Sequence, residues 1–338
     1  MNTNKKISKK VIKYCFKTLL LGAIGISVSG AALAEYPKRT ISFVTPFGSG
    51  GATDIAARTL IHTLSDYSKK PIIVVNRDGA GGAVGSTYVA NEKSDGYTML
   101  ATRVGSHSVA PAMKKRMPYS LDDFTYVGVF ELTPMLCAVR PDSGIKSMEE
   151  LVAKINSKPG TISYTSSGVG SMQHLSSVMV QNTFGVDNPV EQTIHLPTRG
   201  GGGAPATAVL NGSSDFLCES SSVLVNFIEA GQLVPLLVTG KERLPGIDAP
   251  TGAELGYPEL EILVAWTGVA GPKSLDPKVI DKWSDWLSKT AVNPDYISKM
   301  EALGSSAVYM TPAESKSFIE NQSAAFKLLV NKFDMQID

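Results

Sequence analysis

The sequence VTPFGSGGATD, residues 44–54, indicates a strand, a glycine loop and a helix in direct succession. The apolar run that begins at Ile41 stops at Pro46, and beyond the loop apolar residues recur every three or four positions, as on one face of a helix. Glycines let the backbone approach a ligand, and the first N–H groups of a helix lack intrahelical partners. The stretch therefore predicts an anion site built mainly from backbone, although an ordinary βα turn also favours glycine.

The same pattern of a strand followed by a glycine loop recurs twice in the next 60 residues. Residues 71–76 form a continuous apolar run, typical of a strand buried in a parallel sheet, and end in the glycine loop 79–82. Residues 97–101 form a third strand, which is followed by Gly105, Ser106 and His107. Because ligands bind at the carboxyl ends of strands in open α/β sheets, three such loops strengthen the prediction of a site.

The second half of the chain predicts another α/β unit, again with glycine and hydroxyl residues just after strand ends. We expect a strand at 124–130 that is separate from a strand at 135–139, and two helical stripes after Pro272. The picture is two lobes with their loops facing each other across an inter-domain cleft. The remaining expected strands lie at residues 161–165, 192–196, 215–218, 234–238 and 262–270.

The N-terminus predicts a Sec-type signal peptide at residues 1–34, cleaved after about Ala34. Its apolar run is shorter than the roughly 20 residues of a membrane span, which favours cleavage over an uncleaved anchor. Six of the 32 basic residues and none of the 31 acidic residues lie in 1–34, so the mature chain carries a net charge near −5. That charge argues against nucleic acid or an anionic membrane as a partner, and the leader predicts a periplasmic location.

Enzyme and metal motifs are weak or missing in this sequence. The glycine loop 79–85 has its last glycine one residue late for a dinucleotide fingerprint, and the histidines show no metal-ligand spacing, so we expect no cofactor. Ser171 with His174 is the one candidate for a nucleophile and its base, although a histidine at a helix start commonly bonds to the backbone. Cys137 and Cys218 lie in apolar runs, and we expect two buried free thiols rather than a disulfide.

Motifs along the whole mature chain resemble those of the tripartite tricarboxylate transporter substrate-binding proteins, the TctC or Bug family of periplasmic receptors. As a set these motifs are specific, although each alone is weak. They are Tyr36-Pro37, Arg39 and Ile41; Pro46-Phe47, Gly50-Gly51 and Asp54; Val75-Asn76-Arg77 and Gly79 to Gly82; Asp95-Gly96-Tyr97-Thr98; Gly105-Ser106-His107 and Pro111; Pro118-Tyr119 and Asp123-Phe124; Tyr164, Ser166, Gly168, Gly170-Ser171 and His174-Leu175; Gly231, Leu233 and Pro272.

The resemblance implies an α/β, two-lobed periplasmic binding protein of the Venus-flytrap kind, each lobe a central, mostly parallel sheet flanked by helices. Lobe 1 would comprise 35–133 and 266–338, and lobe 2 would comprise 134–265, with hinges near 131–135 and 264–267. The receptor, a monomer without catalytic activity, would capture a carboxylate-bearing solute for the permease subunits of a membrane transporter. The alternatives are an exported hydrolase or transferase, and a receptor that reports to a membrane kinase.

The resemblance also implies the residues of the ligand site. In lobe 1 they are Phe47, Gly50, Gly51, Asp54, Ala80, Gly81, Gly82, Ser106 and His107. In lobe 2 they are Ser166, Ser167, Gly170, Ser171, Thr198, Arg199, Gly200 and Glu219. The chain departs from the family at Arg103, which would either clamp a ligand carboxylate or lie solvated on the rim. It departs also at Glu219, which would pair with Arg199 or with a ligand amino group.

Overall fold

Two long strands run antiparallel through the middle of the structure and join its two halves. The structure, a computed structural model, describes residues 36–198 and 203–338, so residues 1–35 and 199–202 lie outside it. The strands are β1 (Ile41–Thr45), β2 (Ile72–Asn76), β3 (Thr98–Arg103), β4 (Phe124–Val139), β5 (Ile162–Ser166), β6 (Thr193–Pro197), β7 (Phe216–Ser220), β8 (Val234–Val238), β9 (Val264–Pro272) and β10 (Ser306–Met310).

Helices cover the sheet on its faces. No helix within residues 36–198 and 203–338 is long and apolar enough to span a membrane. The helices are α1 (Ala52–Leu64), α2 (Ala83–Ala90), α3 (Ala110–Met113), α4 (Met148–Ser157), α5 (Met172–Thr183), α6 (Pro189–Gln192), α7 (Gly203–Leu210), α8 (Ser221–Glu229), α9 (Pro277–Ala291), α10 (Pro294–Ala302) and α11 (Pro312–Lys332).

The strands form one mixed sheet in the order β2-β1-β3-β9-β4-β7-β5-β6, with β8 and β10 paired to β4. We call the part built on β1–β3, β9, β10 and the first half of β4 the first lobe, and the part built on β5–β8 and the second half of β4 the second lobe. In the first lobe β1 pairs parallel with β2 and β3, and in the second lobe β5 pairs parallel with β6 and β7. The expected α/β class is confirmed; the central pairs that involve β4 and β9 are antiparallel.

Strand β4 corrects one expectation, because the two strands expected at 124–130 and 135–139 are a single strand of 16 residues. It pairs with β9 as far as Pro134, which lies opposite Val264, and then with β7 and β8 from Met135 onwards. Proline has no N–H to donate, so a position where the strand changes partners suits it. The expected hinge segments, 131–135 and 264–267, lie next to each other at this changeover.

The C-terminal segment contains the two expected helical stripes and two elements that the sequence patterns did not indicate. Trp283 and Trp286 of α9 are buried beneath the first-lobe sheet, and Phe326 of α11 is buried in the larger core cluster. Helix α10 and strand β10 lie between these helices. Both are short, and the five residues of β10 pair along β4 without any being fully buried, so their periodicity is weak.

The two cysteines form a disulfide, so the expectation of free thiols is wrong. Cys137 of β4 and Cys218 of β7 are register partners on adjacent antiparallel strands, with their Cα atoms 4.0 Å apart, and both are fully buried. Two apolar runs in a sequence do not reveal that they will pair in register, and that register is what brings the thiols together.

Replacing both cysteines with alanine should lower the free energy of unfolding by about 4 kcal/mol, since the bridge closes a loop of sequence separation 81. Chemical denaturation of the oxidised wild type and of Cys137→Ala/Cys218→Ala measures the difference. A reductant present throughout unfolding should lower the free energy of unfolding of the wild type to that of the variant and leave the value of the variant unchanged. Equal stability of the oxidised wild type and the variant would contradict this account of the disulfide.

Candidate functional site

Three loops at the carboxyl ends of β1, β2 and β3 meet in the first lobe. Gly82, in the loop after β2, has φ +92°, and a Cβ built on it would lie 3.0 Å from both Phe47 Cζ and Ser106 Cβ. Phe47 belongs to the loop after β1, and Ser106 belongs to the loop after β3. The backbone at Gly82 thus fills a space that only glycine fits, and three of the expected first-lobe residues, Phe47, Gly82 and Ser106, lie together.

Asp54 holds the first glycine loop in shape. Its carboxylate accepts hydrogen bonds from the Gly50 N–H (2.9 Å), from Asn76 Nδ2 (2.8 Å) and from Arg58 Nε (2.9 Å). Asn76 Nδ2 also donates to Thr45 Oγ1 and to the carbonyl oxygen of Phe47. The Asp54 side chain therefore holds the loop in its conformation, and its carboxylate is bonded to donors of the protein itself.

The environment of Asp54 keeps it ionised. Burial by itself raises the pKa of the carboxyl, but the hydrogen bonds from Arg58, the Gly50 N–H and Asn76 lower it to about 2. Arg58 lies one helical turn beyond Asp54 on α1 and bonds Asn76 Oδ1 as well. The charged cluster therefore fixes the loop at any pH at which the protein is ordinarily handled.

His107, an expected ligand contact, lies fully buried in an aromatic cluster with Tyr119, Phe124 and Tyr126. Its Nδ1 is 2.9 Å from Ser106 Oγ, and Tyr119 donates a hydrogen bond to the Ser106 carbonyl oxygen. Burial lowers the pKa of His107 to about 3, so the ring is neutral. The imidazole thus orients Ser106, and its own side chain is not accessible to solvent.

In the second lobe, a stack of three rings supports the loop after β5. The imidazoles of His174 and His195 are parallel with their centroids 4.1 Å apart, and Tyr164 stacks on His195 at 4.7 Å. His195 Nε2 lies 2.7 Å from Ser166 Oγ, and Gly170 N–H donates to His174 Nδ1. Both ends of the loop are therefore tied to the stack.

The only nucleophile–base candidate of the sequence is not assembled. Ser171 is the N-cap of α5 and accepts a hydrogen bond from the backbone N–H of His174. His174 Nδ1 accepts from the Gly170 N–H instead of facing the Ser171 hydroxyl. The helix-start interpretation of His174 therefore describes the structure.

Glu219 lies at the end of β7 and is 1% exposed. Its Oε1 accepts from Gln173 Nε2 (2.6 Å) and from the Ser220 N–H, while Gln173 Oε1 accepts from Ser167 Oγ. Its Oε2 is buried and makes no hydrogen bond within the part of the chain that the structure describes. Burial raises the pKa of Glu219 to about 7, against the lowering effect of its hydrogen bonds from Gln173 and Ser220.

Thr198 also lies at this end of the second lobe, where its N–H and hydroxyl both donate to the carbonyl oxygen of Ser166. Arg199 and Gly200, two further expected contacts, lie outside the described residues.

Arg103 extends from the end of β3 across β9 to β4. Its Nη1 donates to Glu131 Oε2 (3.0 Å) and to Thr267 Oγ1 (2.5 Å), and its side chain is 12% exposed. It is therefore not a solvated arginine on the rim. The ion pair lies at the segment where β4 and β9 cross between the lobes.

Several supporting residues were not indicated by the sequence. Asn76 and Arg58 shape the first loop, Gln173 and His195 support the second-lobe loop, and Glu131 anchors Arg103. Apart from the Arg58–Asp54 pair within one helical turn, these contacts join residues 18 or more positions apart, so local spacing could not reveal them. Lys114, whose Nζ donates to the Ala80 carbonyl oxygen, adds a cation beside the second glycine loop.

The family model of the tripartite tricarboxylate transporter family receptor matches residues 56–335. The chain belongs to this receptor family. Its fold is that of the periplasmic binding proteins, and the family consists of solute-binding receptors and not of enzymes. Within the described residues no cluster of three or more His, Cys, Asp or Glu side chains could hold a metal ion.

Named relatives span nearly the whole chain. The protein BugT of Bordetella pertussis is 30% identical over 314 residues, which are 90% of this chain and 94% of BugT. A protein of R. palustris solved with adipate has a TM-score of 0.75 at 25% identity, over 89% of this chain and 99% of its own. MatC from Rhodopseudomonas palustris, solved with bound malate, has a TM-score of 0.71 at 26% identity, over 87% of this chain and 100% of its own.

The stacked histidines predict a loss of stability in acid. Burial lowers the pKa of His174 to about 3, with a further contribution from His195, and burial lowers the pKa of His195 to about 4. Unfolded histidine takes up a proton near pH 6.5, so between pH 6.5 and 4 the unfolded chain binds more protons. The contribution of the two histidines to the free energy of unfolding should be fully present above pH 6.5 and decrease as the pH falls through this window.

His195→Phe keeps a ring in the stack, but phenylalanine cannot titrate. The free energy of unfolding of this variant should therefore decrease less between pH 6.5 and 4 than that of the wild type. Denaturant unfolding at a series of pH values measures the slope of the free energy of unfolding against pH. His62→Gln, which changes an exposed histidine, should retain the wild-type slope. Parallel slopes for the wild type and His195→Phe would show that the stack does not exclude protons.

Proposed function

We propose that this protein is a monomeric periplasmic receptor that binds a small carboxylate-bearing solute between its lobes. It delivers the solute to the permease subunits of a tripartite tricarboxylate-type transporter. The observation that carries the proposal is the convergence of three strand-end loops at Gly82, next to the N-terminus of α2. The family membership and the basic, then apolar leader at residues 1–34 support the transporter and the periplasmic location.

In this proposal, backbone N–H groups of the first lobe bind one carboxylate of the solute. Ala80, Gly81 and Gly82 all have positive φ, which turns this loop around the N-terminus of α2. Gly50 and Gly51 precede α1, whose early N–H groups also lack intrahelical partners. Two helix N-termini at one cleft favour an anion.

The second lobe would contact the rest of the solute. The proposed contacts there are Ser166, Ser167, Gly170, Ser171 and Thr198, with Arg199 and Gly200 beyond the described residues. Glu219 is proposed as a contact through its Oε2, because a buried oxygen without a partner is costly unless a ligand supplies one. The relatives solved with adipate and malate show that dicarboxylates bind to this fold in other members.

Ligand binding would act by shifting the population towards a closed form. The residues of β4 and β9 between 131–135 and 264–267 are proposed as the hinge, and the lobe boundaries at 133/134 and 265/266 follow from it. Two hydrogen bonds outside the sheet also join the lobes. Ser221 Oγ donates to the Gly304 carbonyl oxygen (2.7 Å), and Lys332 Nζ donates to Asn182 Oδ1 (2.9 Å).

A thermal-shift screen of the refolded mature protein against small mono- and dicarboxylates and amino acids tests the function. A ligand at about 100 times its Kd adds about 2.7 kcal/mol of stability, which raises the Tm by several degrees. Gly82→Ala should abolish this shift, because a methyl group there would push against Phe47 and Ser106.

Gly144→Ala is the matched control. Gly144 also has positive φ (+71°), but a Cβ there has open space around it, so backbone strain is present without a clash in the loops. This variant should lose some stability and keep the ligand-induced shift. No shift for the wild type with any carboxylate would contradict the proposed function, and an undiminished shift for Gly82→Ala would contradict the placement of the site.

A further inference from the structure

Glu131 is a buried carboxylate at the boundary between the two sets of strand-end loops. It is 4% exposed and lies opposite Thr267, which in turn lies opposite Arg103, in one row across β4, β9 and β3. On one side of this row are the ends of β1 and β2, and on the other are the ends of β7, β5 and β6. The row therefore lies at the floor of the proposed cleft, between the two lobes' candidate contacts.

Four donors hold the Glu131 carboxylate. Oε1 accepts from Thr133 Oγ1 (3.1 Å) and Ser305 Oγ (3.0 Å), while Oε2 accepts from Arg103 Nη1 and from the Thr267 hydroxyl. Each oxygen thus has two partners, and the carboxylate has no capacity left for a ligand. Its negative charge nevertheless stays at the cleft floor.

Arg103 is only partly used by this network. Its Nη1 is bonded to Glu131 and Thr267, whereas Nε and Nη2 have no hydrogen bond within residues 36–198 and 203–338. The carbonyl oxygen of Arg103 accepts from Ser106 Oγ, so its backbone belongs to the same loop that meets Gly82. The unused edge of the guanidinium has two donors in a plane, a geometry that suits an oxygen-bearing group.

We propose that Arg103 binds the distal polar group of the solute, the one farther from the first-lobe loops. Glu131 determines how strongly the receptor prefers a charged group over a neutral one at that position. This inference rests on the proposed function and deepens it. The guanidinium, already paired with Glu131, offers hydrogen bonds but little net positive charge. The receptor therefore discriminates only weakly in favour of a second carboxylate over a neutral acceptor such as an amide.

The reason lies in the distances. A carboxylate on the free edge of Arg103 would be attracted to the guanidinium and, from slightly farther away, repelled by Glu131. At short range in a site of low dielectric these two effects offset each other in large part. Glu131 thus acts through Arg103 as a positioning residue that tunes ligand charge.

Glu131→Gln tests this inference with a minimal change of shape. A flipped glutamine can accept from Arg103 and Thr267 with its oxygen and donate to the Thr133 and Ser305 hydroxyls with its nitrogen. The probes are succinate, glutarate and adipate, each paired with its monoamide, and calorimetry gives the Kd of each. In Glu131→Gln the preference for the dicarboxylate over its monoamide should rise about tenfold relative to the wild type.

The double variant Arg103→Met/Glu131→Gln separates charge tuning from a structural role. It removes both charges together, so no buried charge is left unpaired, and the preference gained in Glu131→Gln should disappear. Glu149→Gln, an exposed glutamate on α4, is the control for the substitution itself and should keep the wild-type ratio.

The outcomes distinguish this inference from the function on which it rests. If the wild type binds members of these pairs but Glu131→Gln leaves the ratio unchanged, or if the double variant keeps the raised ratio, the inference is overturned and the receptor function stands. If the wild type binds neither these pairs nor any other carboxylate of the thermal-shift screen, the carboxylate function fails, and the inference fails with it. If it binds only carboxylates that carry no second polar group, the inference alone is overturned.

Discussion

Strand β4 is the constraint on which the rest of the structure depends. Its first 11 residues pair with β9 and its last five pair with β7 and β8, so one continuous strand belongs to both lobes. A disulfide from Cys137 then fixes its second half to β7. Because β9 pairs beside it, the strands of both lobes lie in one sheet, and the strand-end loops proposed to bind the ligand lie on both sides of the β4–β9 pair.

The proposed ligand site consists mainly of backbone whose conformation is held by neighbouring side chains. Asp54, Asn76 and Arg58 shape the first glycine loop, His107 and Tyr119 orient Ser106, and the paired histidines support the loop after β5. Such preorganised donors need little rearrangement when an anion enters, which favours binding. The same arrangement explains why several expected contacts, Asp54 and His107 above all, have their side chains turned into the protein.

Local patterns predicted the α/β class, most strands and the glycine loops, because periodicity and turn chemistry are properties of neighbouring residues. They split β4 at Pro134, since a proline ordinarily ends a strand and nothing nearby shows that it marks a change of partners. They also missed the disulfide and the Glu131 network, which depend on register between distant strands. These features depend on which distant strands pair and in which register, and the local patterns of one sequence do not show that pairing.

The central claim is that first-lobe backbone N–H groups bind the carboxylate. Protein labelled with ¹⁵N-glycine and titrated with the carboxylate that stabilises it most would test this directly in ¹H–¹⁵N spectra. The account predicts the largest shift for Gly81 and smaller ones for Gly51 and Gly82, whose N–H groups donate to the carbonyl oxygens of Gly48 and Gly79. Gly144 and Gly160 should shift little, and the corresponding neutral amide should give no such pattern. Binding that leaves the three first-lobe glycines unshifted would contradict the claim.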